Sequence, residues 1–113
     1  MLPNALPNAQ HAVIEPAKLR DYLLAQAHPV GRFKARFFFG LGYASEAWQR
    51  LRDDLLRLAS SGEAVPGPLG PYGQKLTVSG SLTGPNGRTA KVISVWLIPL
   101  NGDAPRFITA YPG

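Results

Sequence analysis

The hydrophobic period of this chain changes once, and that change constrains the fold more than any other feature. Between residues 16 and 62 apolar side chains recur every three or four positions; from residue 74 they alternate with polar neighbours. EAVPGPLGPYG (63–73) separates the two regimes, and its proline and glycine content predicts an irregular, defined loop over one face. Helices grouped before strands predict an α+β fold, with the amino-terminal helices packed on one face of a three- to four-stranded antiparallel sheet. The 113 residues suit a single domain, 1–113, able to bury a core without staples.

The opening MLPNALPNAQHAVI repeats LPNA at 2–5 and 6–9. Its prolines predict an extended arm over 1–14, with Ala12, Val13 and Ile14 docking as a short edge strand. Glu15-Pro16 opens a helix carrying Leu19, Tyr22 and Leu23 to about Gln26, stopped by Pro29 and Gly31. HPVGRFKARFFFGLGY predicts a second helix burying Val30, Phe33, Phe37 and Phe38; a strand is the alternative reading of FKARFFF. Ser45 with Glu46 reads as the start of a third helix, Trp48, Leu51, Leu55 and Leu58 as its apolar stripe, and Gly62 as its carboxy-terminal cap. Arg50, Arg52, Asp53, Asp54 and Arg57 are placed on its other faces.

In QKLTVSGSL, Leu76, Val78 and Leu82 mark a half-buried strand, and GPNGR a hairpin turn in which Asn-Gly accepts positive φ. TAKVISVWLIPL is the return strand; the unbroken apolar run from Val95 to Ile98 predicts a central strand covered on both faces. NGDAP turns the chain again, and RFITAYPG is the last strand.

Composition narrows the chemistry. The absence of cysteine removes disulfides, thiol catalysis and cysteine-ligated zinc, and fits a reducing compartment. Twelve Lys+Arg against seven Asp+Glu give a formal +5, which favours anionic partners. The first 25 residues lack the pattern of a signal peptide, and no apolar run approaches the roughly 18 residues needed to span a bilayer. A cytoplasmic protein with no membrane partner is the expectation; export by a toxin-delivery apparatus that ignores amino-terminal signals is the alternative. There is no phosphate loop, dinucleotide fingerprint, HExxH or serine elbow. The two histidines, His11 and His28, are far apart and carboxylates do not cluster, so neither a metal nor another cofactor is expected.

Three residue groups carry candidate chemistry. His28, Arg32, Lys34 and Arg36 place a titratable imidazole beside three cations. Metal-free RNA cleavage needs such parts: a base for the 2′-OH, an acid for the leaving oxygen and cations for the phosphorane. The structural reading is a histidine closing the first helix beside solvated arginines. In the last strand, alternation puts Arg106, Ile108 and Ala110 on one face and Phe107, Thr109 and Tyr111 on the other. Thr109 and Tyr111 suit phosphate contact, or simply packing as strand formers. Tyr72 and Lys75 flank the long loop, and Arg88 and Lys91 the hairpin, where bases stack and cations follow a backbone. No RRM-type signature accompanies them, and Trp48 and Trp96 read as core.

LPNA, KLRDYLL, HPVGRFKARFF, YGQKLTVSGSLTGPNGR, VWLI and PRFITAYP together resemble a family of short bacterial proteins carrying a domain of unknown function, over nearly the whole chain. HPxGRxKA and LTGPNGR are its more specific stretches; the doubled LPNA departs from its single opening LPNA. That family is similar in layout to the barnase, EndoU, colicin and RelE class of ribonuclease toxins. The resemblance implies amino-terminal helices before a four-stranded antiparallel sheet, and metal-independent RNA cleavage by 2′-OH transesterification. It implies neutralisation by a small acidic antitoxin or immunity protein, and active-site positions His28, Lys34, Thr109 and Tyr111. With His11 in the arm, a His–Lys or Lys–Tyr scheme replaces the two-histidine scheme of EndoU proteins. The competing expectation is a non-enzymatic basic module docking an acidic protein or nucleic acid, with the carboxy-terminal sheet edge as its docking site.

Overall fold

In the computed structural model, which describes residues 6–24, 31–102 and 104–113, helices lead into a meander. α1 (Pro16–Lys18) runs into a π turn (Leu19–Leu23); α2 (Gly31–Gly40) and α3 (Trp48–Ser61) follow. Then come β1 (Glu63–Gly70), β2 (Gly73–Thr83), β3 (Thr89–Pro99) and β4 (Arg106–Pro112). The strands are antiparallel neighbours in the order β1-β2-β3-β4.

Pro16 occupies the first turn of α1, where a missing N–H costs nothing. The Leu24 N–H then reaches back five residues to the Leu19 carbonyl at 2.8 Å, so the helix widens as Leu19, Leu23 and Leu24 all enter the core. In α2, Ala35 and Phe38 are buried and Phe37 is half-buried, as a helix and not a strand requires. Val30, Pro29 and Gln26 lie outside the described residues, as do the side chains of Tyr22, Arg32 and Phe33. α3 buries Leu51, Leu55, Leu58 and Ala59 against β2.

Several local expectations are corrected. Ser45 does not cap α3: its hydroxyl turns to the Glu46 carboxylate at 3.1 Å, and a 3₁₀ turn (Ser45–Ala47) leads into the helix. Gly62 ends α3 in an extended conformation, not a left-handed one. A Cβ there would lie 2.7 Å from Val78 Cγ1, so the glycine admits β2 close to the helix end. Asp54 is buried, because it sits three residues after Leu51 and four before Leu58 on the same stripe. Its carboxylate accepts from the Tyr43 hydroxyl at 2.6 Å and from Arg50 Nε at 3.1 Å, and pairs with Arg57 at 3.4 Å. Burial pushes the Tyr43 hydroxyl well above the usual tyrosine range, and its bond to Asp54 pushes the same way.

The 63–73 linker also folds differently from expectation. Most of it is β1, an edge strand whose prolines are tolerated because one side needs no ladder partner. In the GPNGR turn only Gly87 takes positive φ; Asn86 instead clasps the end of α2, donating from Nδ2 to the Gly40 carbonyl at 3.0 Å. The arm is not extended throughout, since Ala9–His11 forms a 3₁₀ turn and Leu6 is buried in the core; it meets the sheet at Val13, whose carbonyl accepts from the Phe107 N–H at 2.9 Å beside β4.

Candidate functional site

The sheet has two unlike faces. Toward the helices point Leu76, Val78 and Leu82 from β2, Val92, Ser94 and Trp96 from β3, and Phe107 and Ala110 from β4, all buried. Trp96 Nε1 donates to Ser94 Oγ, and Ser94 Oγ to the Val78 carbonyl, each at 2.8 Å. The other face consists of half-exposed or exposed residues in cross-strand rows: Ser79–Ile93–Tyr111, Thr77–Val95–Thr109 and Lys75–Leu97–Arg106. Val95 and Leu97 are therefore only half-buried, although their apolar run predicted cover on both faces. β3 is internal to the sheet, as expected.

Arg106 reaches this open face through a bulge. Val95 pairs with Thr109 and Trp96 with Phe107, which leaves Ile108 as an extra residue in β4. Strict alternation had put Arg106 opposite Thr109 and Tyr111; the extra residue turns it to their side and lets Phe107 and Ala110 both face the core. β1 carries a second irregularity, where Gly67 and Pro68 together oppose Lys75. Both bulges thus flank the Lys75–Leu97–Arg106 row.

α2 packs against β4 and brings in the remaining group. Half-buried Lys34 donates from Nζ to Thr109 Oγ1 at 2.9 Å, joining positions 75 residues apart. Tyr111 lies two residues further along the same face. Lys34, Thr109, Tyr111 and Arg106, all read as candidates from sequence, therefore share one region. Lys75 lies across the sheet in the Arg106 row, and Lys91, exposed, lies on the same face further along β3. Tyr72 sits in the β1–β2 turn, 80% exposed. Arg88 stands apart in the β2–β3 turn, and Arg36, two residues after Lys34, is exposed on a different side of α2. His28 and the Arg32 side chain lie outside the described residues.

Sequence reasoning missed Thr77 and Ser79, which add hydroxyls to the face. Their signal was present as the polar half of the β2 alternation. The only acid in any of the four strands is Glu63, which pairs with Ser79 and so lies on this face at its β1 edge. Among the described residues, ion pairs join Arg20 to Asp21, Arg50 and Arg57 to Asp54, and Arg52 to Asp53, all on the helices. None of these involves Lys75, Lys91 or Arg106, so among the described residues the open face holds these three cations beside hydroxyl donors against the single carboxylate of Glu63. Cations beside hydroxyls are the donor types used in charge-assisted recognition of phosphate oxygens. Among the described residues no three His, Asp or Glu side chains gather as metal ligands.

A family model for a domain of unknown function, DUF6883, matches residues 5–113. The chain belongs to the DUF6883 family. No curated protein matches it. Among solved structures, its fold is similar to a chain of the contact-dependent growth inhibition toxin–immunity protein complex from Klebsiella pneumoniae 342. The TM-score is 0.70 at 19% identity, covering 95% of this chain and 97% of that one. The likeness extends over the helices and the whole meander, so this DUF6883 chain and that neighbour share one architecture. No helix among the described residues is long and apolar enough to cross a membrane.

Proposed function

We propose that this chain is a metal-independent endoribonuclease of toxin type, cleaving RNA by attack of a ribose 2′-OH on the adjacent phosphorus. The observation that carries the reading is the Lys34–Thr109 hydrogen bond, which fixes an ammonium group beside Tyr111 on the open basic face. The fold likeness to a chain of a toxin–immunity complex supports the toxin class.

In the reaction the 2′-oxygen bonds to phosphorus as the P–O5′ bond breaks, giving a 2′,3′-cyclic phosphate and a 5′-hydroxyl. A base takes the 2′-proton, and O5′ gains one from an acid. Lys34, held by Thr109, stabilises the charge on the phosphorane oxygens. Tyr111 is the proton donor to O5′, and His28 enters as the base from its sequence position alone. Arg106, Lys75 and Lys91 hold the flanking backbone. A small acidic immunity protein covering this face would silence the enzyme by charge complementarity.

The test is total RNA incubated with purified protein in EDTA, wild type beside Lys34→Ala and His28→Ala. Discrete products ending in 2′,3′-cyclic phosphate, from wild type alone, support the reading. Equal cutting of RNA carrying a 2′-deoxy substitution at the scissile position refutes it. Intact RNA in every lane, from folded protein freed of any co-purifying inhibitor, replaces it with a non-enzymatic basic binding module.

A further inference from the structure

At the end of the open face marked by the two bulges lies a pocket of about 350 Å³, lined by Pro68, Pro71, Tyr72, Leu97 and Lys75. Its construction is specific. The β1 bulge that sets Pro68 opposite Lys75 is pinned by Gln74, whose Nε2 donates to the Gly67 carbonyl and, at 3.0 Å, to the Lys75 carbonyl. Tyr72 is held in a two-residue turn between paired Gly70 and Gly73. Pro71 before it restricts the backbone. Gly73 after it has φ +143°, and a Cβ there would collide with the Ile98 carbonyl oxygen. The turn therefore seats tightly on β3, and the ring is presented on a constrained backbone while 80% exposed.

A large aromatic left in water beside an apolar hollow calls for a flat, apolar-faced occupant. The charge around it says what else that occupant carries: Lys75 in the lining and Arg106 in the same row have no ion pair among the described residues. Flat rings joined to anionic groups are nucleotides. By strand spacing and rise, the Lys75 position lies roughly 12 Å from Thr109, within reach of a nucleotide flanking the scissile phosphate.

We infer that Tyr72, Pro68, Pro71 and Leu97 form a subsite for one unpaired nucleobase of single-stranded RNA, stacked on Tyr72, with Lys75 and Arg106 on the adjoining phosphates. This inference rests on the ribonuclease reading for its biological use but not for its measurement. The subsite makes the enzyme select single strands and sets which nucleotide lies beside the cut.

The experiment is binding of a fluorescent single-stranded 2′-O-methyl RNA, which cannot be cleaved by 2′-OH attack, to wild type, Tyr72→Ala and Tyr72→Phe. Tyr72→Ala should weaken binding roughly 5- to 150-fold with an unchanged salt slope, while Tyr72→Phe stays near wild type. One abasic nucleotide walked along the probe should cost wild type a similar factor at a single position, and Tyr72→Ala nothing further there. Wild-type affinity in Tyr72→Ala overturns the subsite; if wild type still cleaves RNA, the ribonuclease reading survives that result. Tyr72-dependent binding by a protein that cleaves no RNA keeps the subsite and removes the cleavage. No binding of the probe by wild type overturns the subsite outright.

Discussion

On the helix side of the molecule, Asp54 takes hydrogen bonds from Tyr43 and Arg50 and pairs with Arg57, and Ser94 links Trp96 to Val78. On the open face, Lys75, Lys91 and Arg106 stand among Thr77, Ser79 and Tyr111 with no ion pair among the described residues. Both regions hold polar groups, yet only the first is closed on itself. A buried polar group must find its partner inside the fold or cost stability. An exposed cation row meets no such demand, so its residues are free to serve a ligand. Lys34 lies at the boundary: half-buried in α2, it points its ammonium at the open face through Thr109.

The sharpest way to break this comparison is to remove Lys34. Lys34→Ala should lower RNA cleavage about 100- to 1000-fold, the loss seen when one preorganised transition-state donor is deleted. Loss of its part-buried hydrogen bond to Thr109 should cost about 1 kcal/mol of stability. Single-turnover cleavage beside urea denaturation separates the two; a collapse of stability with no specific rate loss would make Lys34 structural.

Asp54→Ala should do the reverse. It strands the buried Tyr43 hydroxyl, while its arginine partners are half or more exposed and stay solvated. A loss of about 2–3 kcal/mol in unfolding free energy, read by urea denaturation, is expected, with cleavage per folded molecule unchanged. A specific rate loss in this variant would show that the helix side takes part in the chemistry.

Arg106→Ala and Lys75→Ala should each reduce the salt slope of RNA binding by about one and weaken binding evenly across sequences. An unchanged slope in both would remove the open face as the phosphate track.

The smallest effect is in the pH dependence of stability. Because the Tyr43 hydroxyl is raised in the fold, its contribution is complete below the ordinary tyrosine value, about 10. It is lost as pH climbs above that value, since the unfolded chain gives up its proton first. Tyr43→Phe should cost about 1 kcal/mol near neutrality and flatten the fall in stability above about pH 10. Equal alkaline slopes in both proteins would show that burial and the Asp54 bond do not hold the Tyr43 proton in the fold.

What could be read in advance follows what is local. Trp96, Phe38, Leu51 and Leu55 reached the core because helical and strand periods put them there. Asp54 is buried against its residue type because position decides: three residues after Leu51 and four before Leu58, it lies on the core stripe. β1 was invisible because Pro66, Gly67 and Pro68 carry loop chemistry, which an edge strand tolerates when β2 supplies the pairing on one side.

The sequence by itself determined the order of helices before a meander, the location of the core stripes, the basic balance and the residue types available for chemistry. These depend on period and composition, which need no knowledge of neighbours. Only the tertiary structure decided that Lys34 meets Thr109 across 75 residues and that Arg106 joins them. The first depends on how α2 packs against β4. The second depends on Ile108, a single extra residue that reverses a two-residue period, and nothing in the strand's own pattern marks where its partner strand skips a place.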